Sequence, residues 1–329
     1  MSYFKIFGKK QFLFLWGNGK EYNDYMCHDL ERYKNVFVIN RYEDQTWQEK
    51  RRILLKQYKN EKIGEWIFRR QCARELKLKK NKVNYLIFSE DYFYQIDRST
   101  LEKLRKQYKI KTVLYVVNPI ERRMNLEWDK LSLYKQKFDL IITTDRKDAR
   151  RYNIAFFPLF YSAIPVNQSM GIKYDCTFIG RDKGRGDLIK KIDAEIKKRG
   201  LTSYFRLRDG IDTKSSEEAW IPYDKILGIV SQSNCLVEVL QENQSGISLR
   251  TMEAVIFNKK LLTNNKDIIN YPFYDERYIR VFSDINDIDF DFVKERIDVC
   301  YNYHGECSPV QFLKRVVRLL SEKENIKSR

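Results

Sequence analysis

A rhythm that runs through this sequence twice narrows the folds open to it: short β-rich runs alternate with longer stretches of helical period. In the first half the runs are Phe12–Trp16, Val36–Ile39, Tyr85–Phe88, Thr112–Val117 and Leu140–Thr143. Such alternation predicts a parallel sheet with crossover helices. Between the second and third runs, Thr46–Lys80 carries Ile53, Leu54, Tyr58, Ile63, Trp66 and Ile67 among many Lys and Arg, the pattern of one or two amphipathic helices. Most helices of this kind pack on a sheet, but the surplus of cations also suits a helix lying on a membrane surface. The sequence FFPLFYSAIP, with two close prolines in Ala155–Pro165, ends the first alternation and reads as an interdomain hinge. The rhythm then restarts. It gives strand Asp175–Ile179, helix Asp187–Arg199, strand Tyr204–Leu207, a helix around Tyr223–Ser231, strand Cys235–Leu240, helix Ser248–Phe257 and strand Lys260–Thr263. Pro309–Ile326, with apolar Phe312, Val316, Val317, Leu319 and Leu320, predicts a closing helix.

At 329 residues the chain is long enough for two packed cores. The expected division is 1–162, 163–308 and a C-terminal helix 309–329 that packs back on the first domain. Hydrophobic residues at 43% and aromatics at 14% exclude a disordered or collagen-like chain. The net charge of +17 is unevenly placed: residues 1–162 hold 35 Lys+Arg against 20 Asp+Glu, and residues 163–329 hold 27 against 25. The cationic half suits nucleic acid, an anionic membrane surface or a phosphorylated substrate, as well as simple solubility. Six scattered cysteines without a CxxC pair predict a reduced, cytoplasmic protein. The longest strongly apolar runs, such as Val113–Val117, are strand-sized, so any membrane contact is expected to be peripheral, at the inner face.

Two strand–turn–helix junctions in the second half carry the chemistry. The first is Gly180-Arg181-Asp182-Lys183-Gly184-Arg185-Gly186, directly after a strand. Glycines there let backbone approach a phosphate, and Arg181, Lys183 and Arg185 are cations for a diphosphate. The pattern is neither GxGxxG nor GxxxxGK[ST], which disfavours hydride transfer and P-loop hydrolysis. The second junction is Gln244-Ser245-Gly246-Ile247-Ser248-Leu249-Arg250-Thr251-Met252-Glu253. Ser245 or Ser248 suits a helix cap, and Leu249, Met252 and Ile256 a buried stripe. Arg250 and Glu253 share a helix face, either as an ion pair or as separate contacts to phosphate and ribose.

With its GRDKGR turn, ENQSGISLRTMEAVIFNKKLLTNN followed by FYDERYI, and TTDRKDARRYNIAFFPLFYS before the hinge, the chain resembles bacterial lipopolysaccharide and capsule biosynthesis proteins, which look like glycosyltransferases of GT-B architecture. The resemblance implies an α/β fold of two Rossmann-like domains facing each other across a cleft, with a closing C-terminal helix. It implies a nucleoside diphosphate sugar donor, a UDP-sugar being the favoured guess, and an acceptor that is a growing glycan or an anionic lipid-linked molecule. By analogy, Lys183 and Arg185 hold diphosphate, Ser245 and Gly246 approach it by backbone, with Gln244 beside them, and Glu253 binds ribose.

Retaining enzymes of this architecture often carry two glutamates eight positions apart; here Ser245 stands eight before Glu253. Asp24, His28, Glu90 and Asp91 are candidate bases for inversion, and Asp91 is the expected one. The D-x-D spacings in Asp284–Asp291 read as a solvated turn, with no metal expected and basic residues at the diphosphate in its place. No tightly bound cofactor is expected. The competing readings are a nucleic-acid-binding protein, which no recognised module supports, and a catalytically lapsed GT-B scaffold.

Overall fold

The computed structural model describes residues 7–16, 20–40, 47–58, 60–90, 98–120, 131–164, 171–208, 221–242 and 244–327. The chain divides into two compact units: Met1–Thr144 with Asp148–Phe157 and Pro309–Arg329, and Asp145–Lys147 with Pro158–Ser308. Both are α/β and Rossmann-like, each built on a parallel sheet.

The first unit holds β1 (Lys10–Trp16), α1 (Lys20–Cys27), β2 (Val36–Asn40), α2 (Trp47–Gln57), α3 (Glu61–Glu75), β3 (Val83–Ser89), α4 (Arg98–Arg105), β4 (Lys109–Val116), α5 (Leu131–Lys137), β5 (Leu140–Thr143), most of α6 (Arg146–Tyr152) and β6 (Ala155–Phe156). Its strands lie in the order β2-β1-β3-β4-β5-β6, every neighbour parallel. The strands are nearly all apolar because helices cover both faces. Leu13, Leu15, Leu86, Phe88 and Leu114 face a core with Trp47 of α2, Phe68 and Cys72 of α3, and Leu104 of α4. The alternate residues Phe14 and Tyr115 meet Phe312 on the opposite face, at ring-centroid distances of 6.1 and 4.7 Å. Phe312 belongs to the C-terminal helix (Pro309–Lys327), which opens on a proline whose missing N–H is no loss at a first helical position.

The second unit holds β7 (Tyr174–Arg181), α7 (Gly186–Lys198), β8 (Ser203–Arg208), α8 (Tyr223–Ser231), β9 (Ser233–Glu238), α9 (Leu249–Ile256), β10 (Lys260–Thr263), β11 (Ile279–Val281) and α10 (Phe290–Lys294); the helix Pro309–Lys327 is α11. Its order is β11-β10-β9-β7-β8, again parallel throughout. Numbered within the unit this is 2-1-3-4-5, so the chain reverses its winding between β7 and β9. In open parallel sheets the crevice outside the strand ends at that reversal is where ligands bind. Ile189, Ile192 and Ile196 put the apolar stripe of α7 into the core with Phe178, Cys176, Val237 and Leu262.

The predicted helix–strand rhythm is present, with two additional strands and the short helix α10. The segment read as a hinge begins with β6, which pairs Ile142↔Ala155 and Thr143↔Phe156. β11 pairs Leu261↔Ile279 through Thr263↔Val281. Strands of two and three residues are too short to show a period. Thr46–Lys80 resolves into α2 and α3, the second capped by the Asn60 side chain, which accepts from Lys62 N at 3.0 Å and Ile63 N at 3.3 Å.

Candidate functional site at the strand ends of the second unit

The two predicted junctions follow β7 and β9, adjacent strands that flank the winding reversal. After β7 the chain turns through two left-handed residues, Lys183 (φ 49°) and Gly184 (φ 82°), and enters α7 at Gly186. The Asp182 carboxylate fills this turn, accepting from the amides of Gly184 (2.9 Å), Arg185 (2.9 Å) and Gly186 (2.7 Å). Those amides, Gly186 first, hold its pKa below the usual carboxylate range against the opposing effect of desolvation. A Cβ on Gly186 would stand 2.5 Å from Asp182 Oδ2, so glycine is what admits the carboxylate. Arg181 and Lys183 are exposed on the turn. Arg185 is half-buried, its guanidinium 5.7 Å from the Phe178 ring centroid and donating to the carbonyls of Arg181 and Val239. It thereby ties the first junction to the strand end of β9.

The second junction is organised by two more carboxylates. Asp145, buried, accepts from Ser245 N (2.7 Å), Ser245 Oγ (2.6 Å) and Gly246 N (3.2 Å), and also from Lys147 N at 2.8 Å. Glu238, the last residue of β9, accepts from Ser248 N (3.3 Å), Thr251 Oγ1 (2.6 Å) and Thr263 Oγ1 (2.6 Å), as well as from the Ser248 hydroxyl. Ser248 is the N-cap of α9, accepting from Arg250 N at 3.1 Å; Ser245 is bound to Asp145 instead. Gln244, half-buried, donates its backbone N–H to the Gln241 carbonyl at 3.1 Å.

Arg250 and Glu253 form the ion pair that their spacing allowed, at 2.6 Å. The other arm of Arg250 donates to the Ile179 carbonyl on β7 at 2.7 Å, a second tie across the reversal. Glu253 also accepts from Tyr223 OH at 2.8 Å, and Tyr223 OH lies 2.8 Å from Tyr161 OH. All three side chains are buried. Desolvation raises the Glu253 pKa, outweighing Arg250 and the Tyr223 hydrogen bond, and raises that of Tyr223 well above the phenol range. Each Glu253 oxygen thus has a protein donor, Tyr223 for Oε1 and Arg250 for Oε2, in a buried polar chain that runs on to Tyr161.

Arg181, Lys183, Arg185, Gln244, Ser245, Gly246, Arg250 and Glu253 thus all belong to two strand–turn–helix junctions at one end of one sheet. Asp91 lies outside the described residues. Glu90 accepts from the amides of Val117 (3.1 Å) and Asn118 (3.3 Å), and His28 pairs with Glu31 at 3.3 Å. In the acidic stretch, Asp284 and Asp287 form a reciprocal cap and Asp289 caps α10 through Phe292 N. Asp145, Asp182, Glu238, Tyr161 and Tyr223 were not singled out from sequence. Glu238 had a signal: a lone carboxylate inside the otherwise apolar run CLVEVL. Asp145, a hundred residues before its partner, had none beyond its place ahead of a helix.

No family model matches the chain, and no curated protein does. Among solved structures, it is similar to the UDP-GlcNAc 2-epimerase from Methanocaldococcus jannaschii, with 11% identity and a TM-score of 0.47 over 95% of this chain and 99% of that one. It is similar to the Glycosylation Associate Protein (Gap123) complex from Streptococcus agalactiae, with 11% identity and a TM-score of 0.35 over 67% of this chain and 49% of that one. It is also similar to accessory secretory protein 1,2 and 3 in Streptococcus pneumoniae, with 9% identity and a TM-score of 0.40 over 80% of this chain and 58% of that one. All three scores fall below 0.5, so the functional reading rests on the chain's own residues.

Proposed function

We propose that this protein transfers a sugar from a nucleoside diphosphate sugar, with UDP the favoured nucleotide, to a growing bacterial surface glycan or an anionic lipid-linked acceptor. The observation that carries this reading is the meeting of two glycine-bearing, cation-bearing strand–turn–helix junctions at the winding reversal of the second unit, tied together by Arg185 and Arg250. Arg181 and Lys183 would balance the charge of the departing diphosphate, and Arg185 would join them by exchanging a carbonyl contact for a phosphate oxygen. Cations in this role take the place of a divalent ion at the leaving group.

A specific observation favours a second reading, the lapsed scaffold. Backbone amides at both junctions are engaged by the protein's own carboxylates, Asp182 and Asp145. A donor would have to displace at least one of them. Thermal-shift measurements with UDP, GDP, CDP, CMP and dTDP on the wild type, Lys183→Ala and Asp145→Ala separate the two. The transferase reading expects one nucleotide to raise the midpoint, with a smaller shift in Lys183→Ala and a larger one in Asp145→Ala. Silence of all five nucleotides with both wild type and Asp145→Ala removes the donor role and leaves the scaffold.

A further inference from the structure

In the first unit, α2 and α3 form an antiparallel pair in close contact, where a Cβ on Gly64 would stand 3.0 Å from Leu55 Cδ2. Two carboxylates of this pair are drawn inward. Glu65 is buried and met by Arg51, by Lys103 at 3.3 Å and by Arg69 at 3.8 Å, while Glu75 lies 3.8 Å from Lys50. Burial pushes the Glu65 carboxyl up, but the hydrogen bonds and charges of Arg51 and Lys103 hold it below the usual range. Facing outward, the exposed charged residues of the two helices are Arg52, Lys56, Lys62, Arg70 and Arg74 against Glu61 among the described residues.

Among these cations stand three of the large apolar side chains that the molecule leaves in water: Ile53 at 46% exposure, Ile63 at 48% and Trp66 at 49%. Ile63, Trp66 and Arg70 follow one another at helical spacing on one face of α3, and the Arg70 guanidinium lies 4.6 Å from the Trp66 ring centroid. We infer that the outer face of the α2–α3 pair docks on an anionic lipid bilayer, Ile53, Ile63 and Trp66 entering the acyl boundary while the cations meet the headgroups. Charge complementarity admits any polyanion, but the isoleucines decide between them. An aliphatic side chain gains nothing against phosphates in water and gains the transfer free energy of its buried area in hydrocarbon. Tryptophan beside a guanidinium suits the interfacial depth, where one side of the ring is apolar and the other wet. This inference stands apart from the reading of the second unit, and a failure of either leaves the other untouched.

Co-sedimentation of the full chain with vesicles of phosphatidylglycerol and phosphatidylcholine, against phosphatidylcholine alone, tests it, with a short DNA duplex as a lipid-free polyanion. The expected result is binding to the anionic vesicles that weakens with salt, falls about 5-fold for Arg52→Ser or Lys62→Ser at low salt, and falls about 5-fold per side chain in Ile53→Ser, Ile63→Ser and Trp66→Ser. Duplex binding should fall in the cation variants and hold in the apolar ones. Vesicle binding by the apolar triple variant equal to that of the wild type overturns the inference, as does equal binding to neutral and anionic vesicles. Failure of the wild type to bind vesicles while it binds duplex overturns it too and assigns the face to a polyanion. Should the triple variant fold poorly, Trp66→Ser alone decides the matter in the same way, its vesicle binding compared with its melting midpoint.

Discussion

At the strand ends of the second unit, Asp182, Asp145 and Glu238 sit on backbone amides and hydroxyls of the junction loops; on the α2–α3 pair of the first unit, Glu65 and Glu75 turn inward onto cations and leave the outer face positive. The same side-chain type therefore fills a prospective anion site in one place and clears one in the other. A count of charges cannot see this difference. What prepares a surface for an anion is the number of donors and cations that the protein has not already used, and that number is set by where a few carboxylates point.

Three perturbations grade that contrast. Arg250→Met strands a buried Glu253 carboxylate and should cost about 3–5 kcal/mol in urea unfolding. Its pH dependence fixes the sign: a carboxyl whose folded pKa is raised contributes stability below the unfolded glutamate value and loses it as pH rises through the folded one. The penalty of Arg250→Met should therefore grow toward neutral pH and shrink in acid, and a penalty independent of pH would mean that Arg250 does not alter the protonation of Glu253. Glu65→Ala should cost about 1–3 kcal/mol at neutral pH, by removing the acceptor from Arg51 and Lys103. Here the sign reverses. A lowered carboxyl supplies stability above the unfolded value that is lost as pH falls through the folded one, so Glu65→Ala should flatten the acid limb of the stability curve. The smallest effect belongs to the outer face: Ile53→Ser, Ile63→Ser and Trp66→Ser should each move stability by less than about 0.5 kcal/mol, and a larger loss by denaturant titration would show that these side chains hold the fold.

Much of the architecture was legible because buried parallel strands and amphipathic helices write strong periods. Leu140–Thr143, Tyr223–Ser231 and Lys260–Thr263 match residue for residue. β6 and β11 were not legible, since edge pairings of two or three residues are held by their neighbours and not by a pattern of their own. The two junction loops were recognisable from glycine and cation spacing, and the Arg250–Glu253 pair from its step of three. What the sequence could not display was which carboxylate would occupy each loop. Asp145 reaches Ser245 across a hundred residues, and Tyr161 and Tyr223 meet only because the second unit closes around them.

The place of α11 bears on how the molecule is made. Phe312, Leu313, Val316 and Leu320 are buried, and Phe312 lies 6.1, 4.7 and 5.3 Å from the ring centroids of Phe14, Tyr115 and Phe157, all in the first unit. Yet these residues are synthesised after nearly all of the second unit. On the ribosome the first sheet waits with one apolar face incomplete while about 150 further residues are added, so the half of the protein that is translated first can be finished only last. During that interval Phe14 and Tyr115 are exposed to chaperones and to other nascent chains, and a stalled or truncated product lacking α11 would present them permanently.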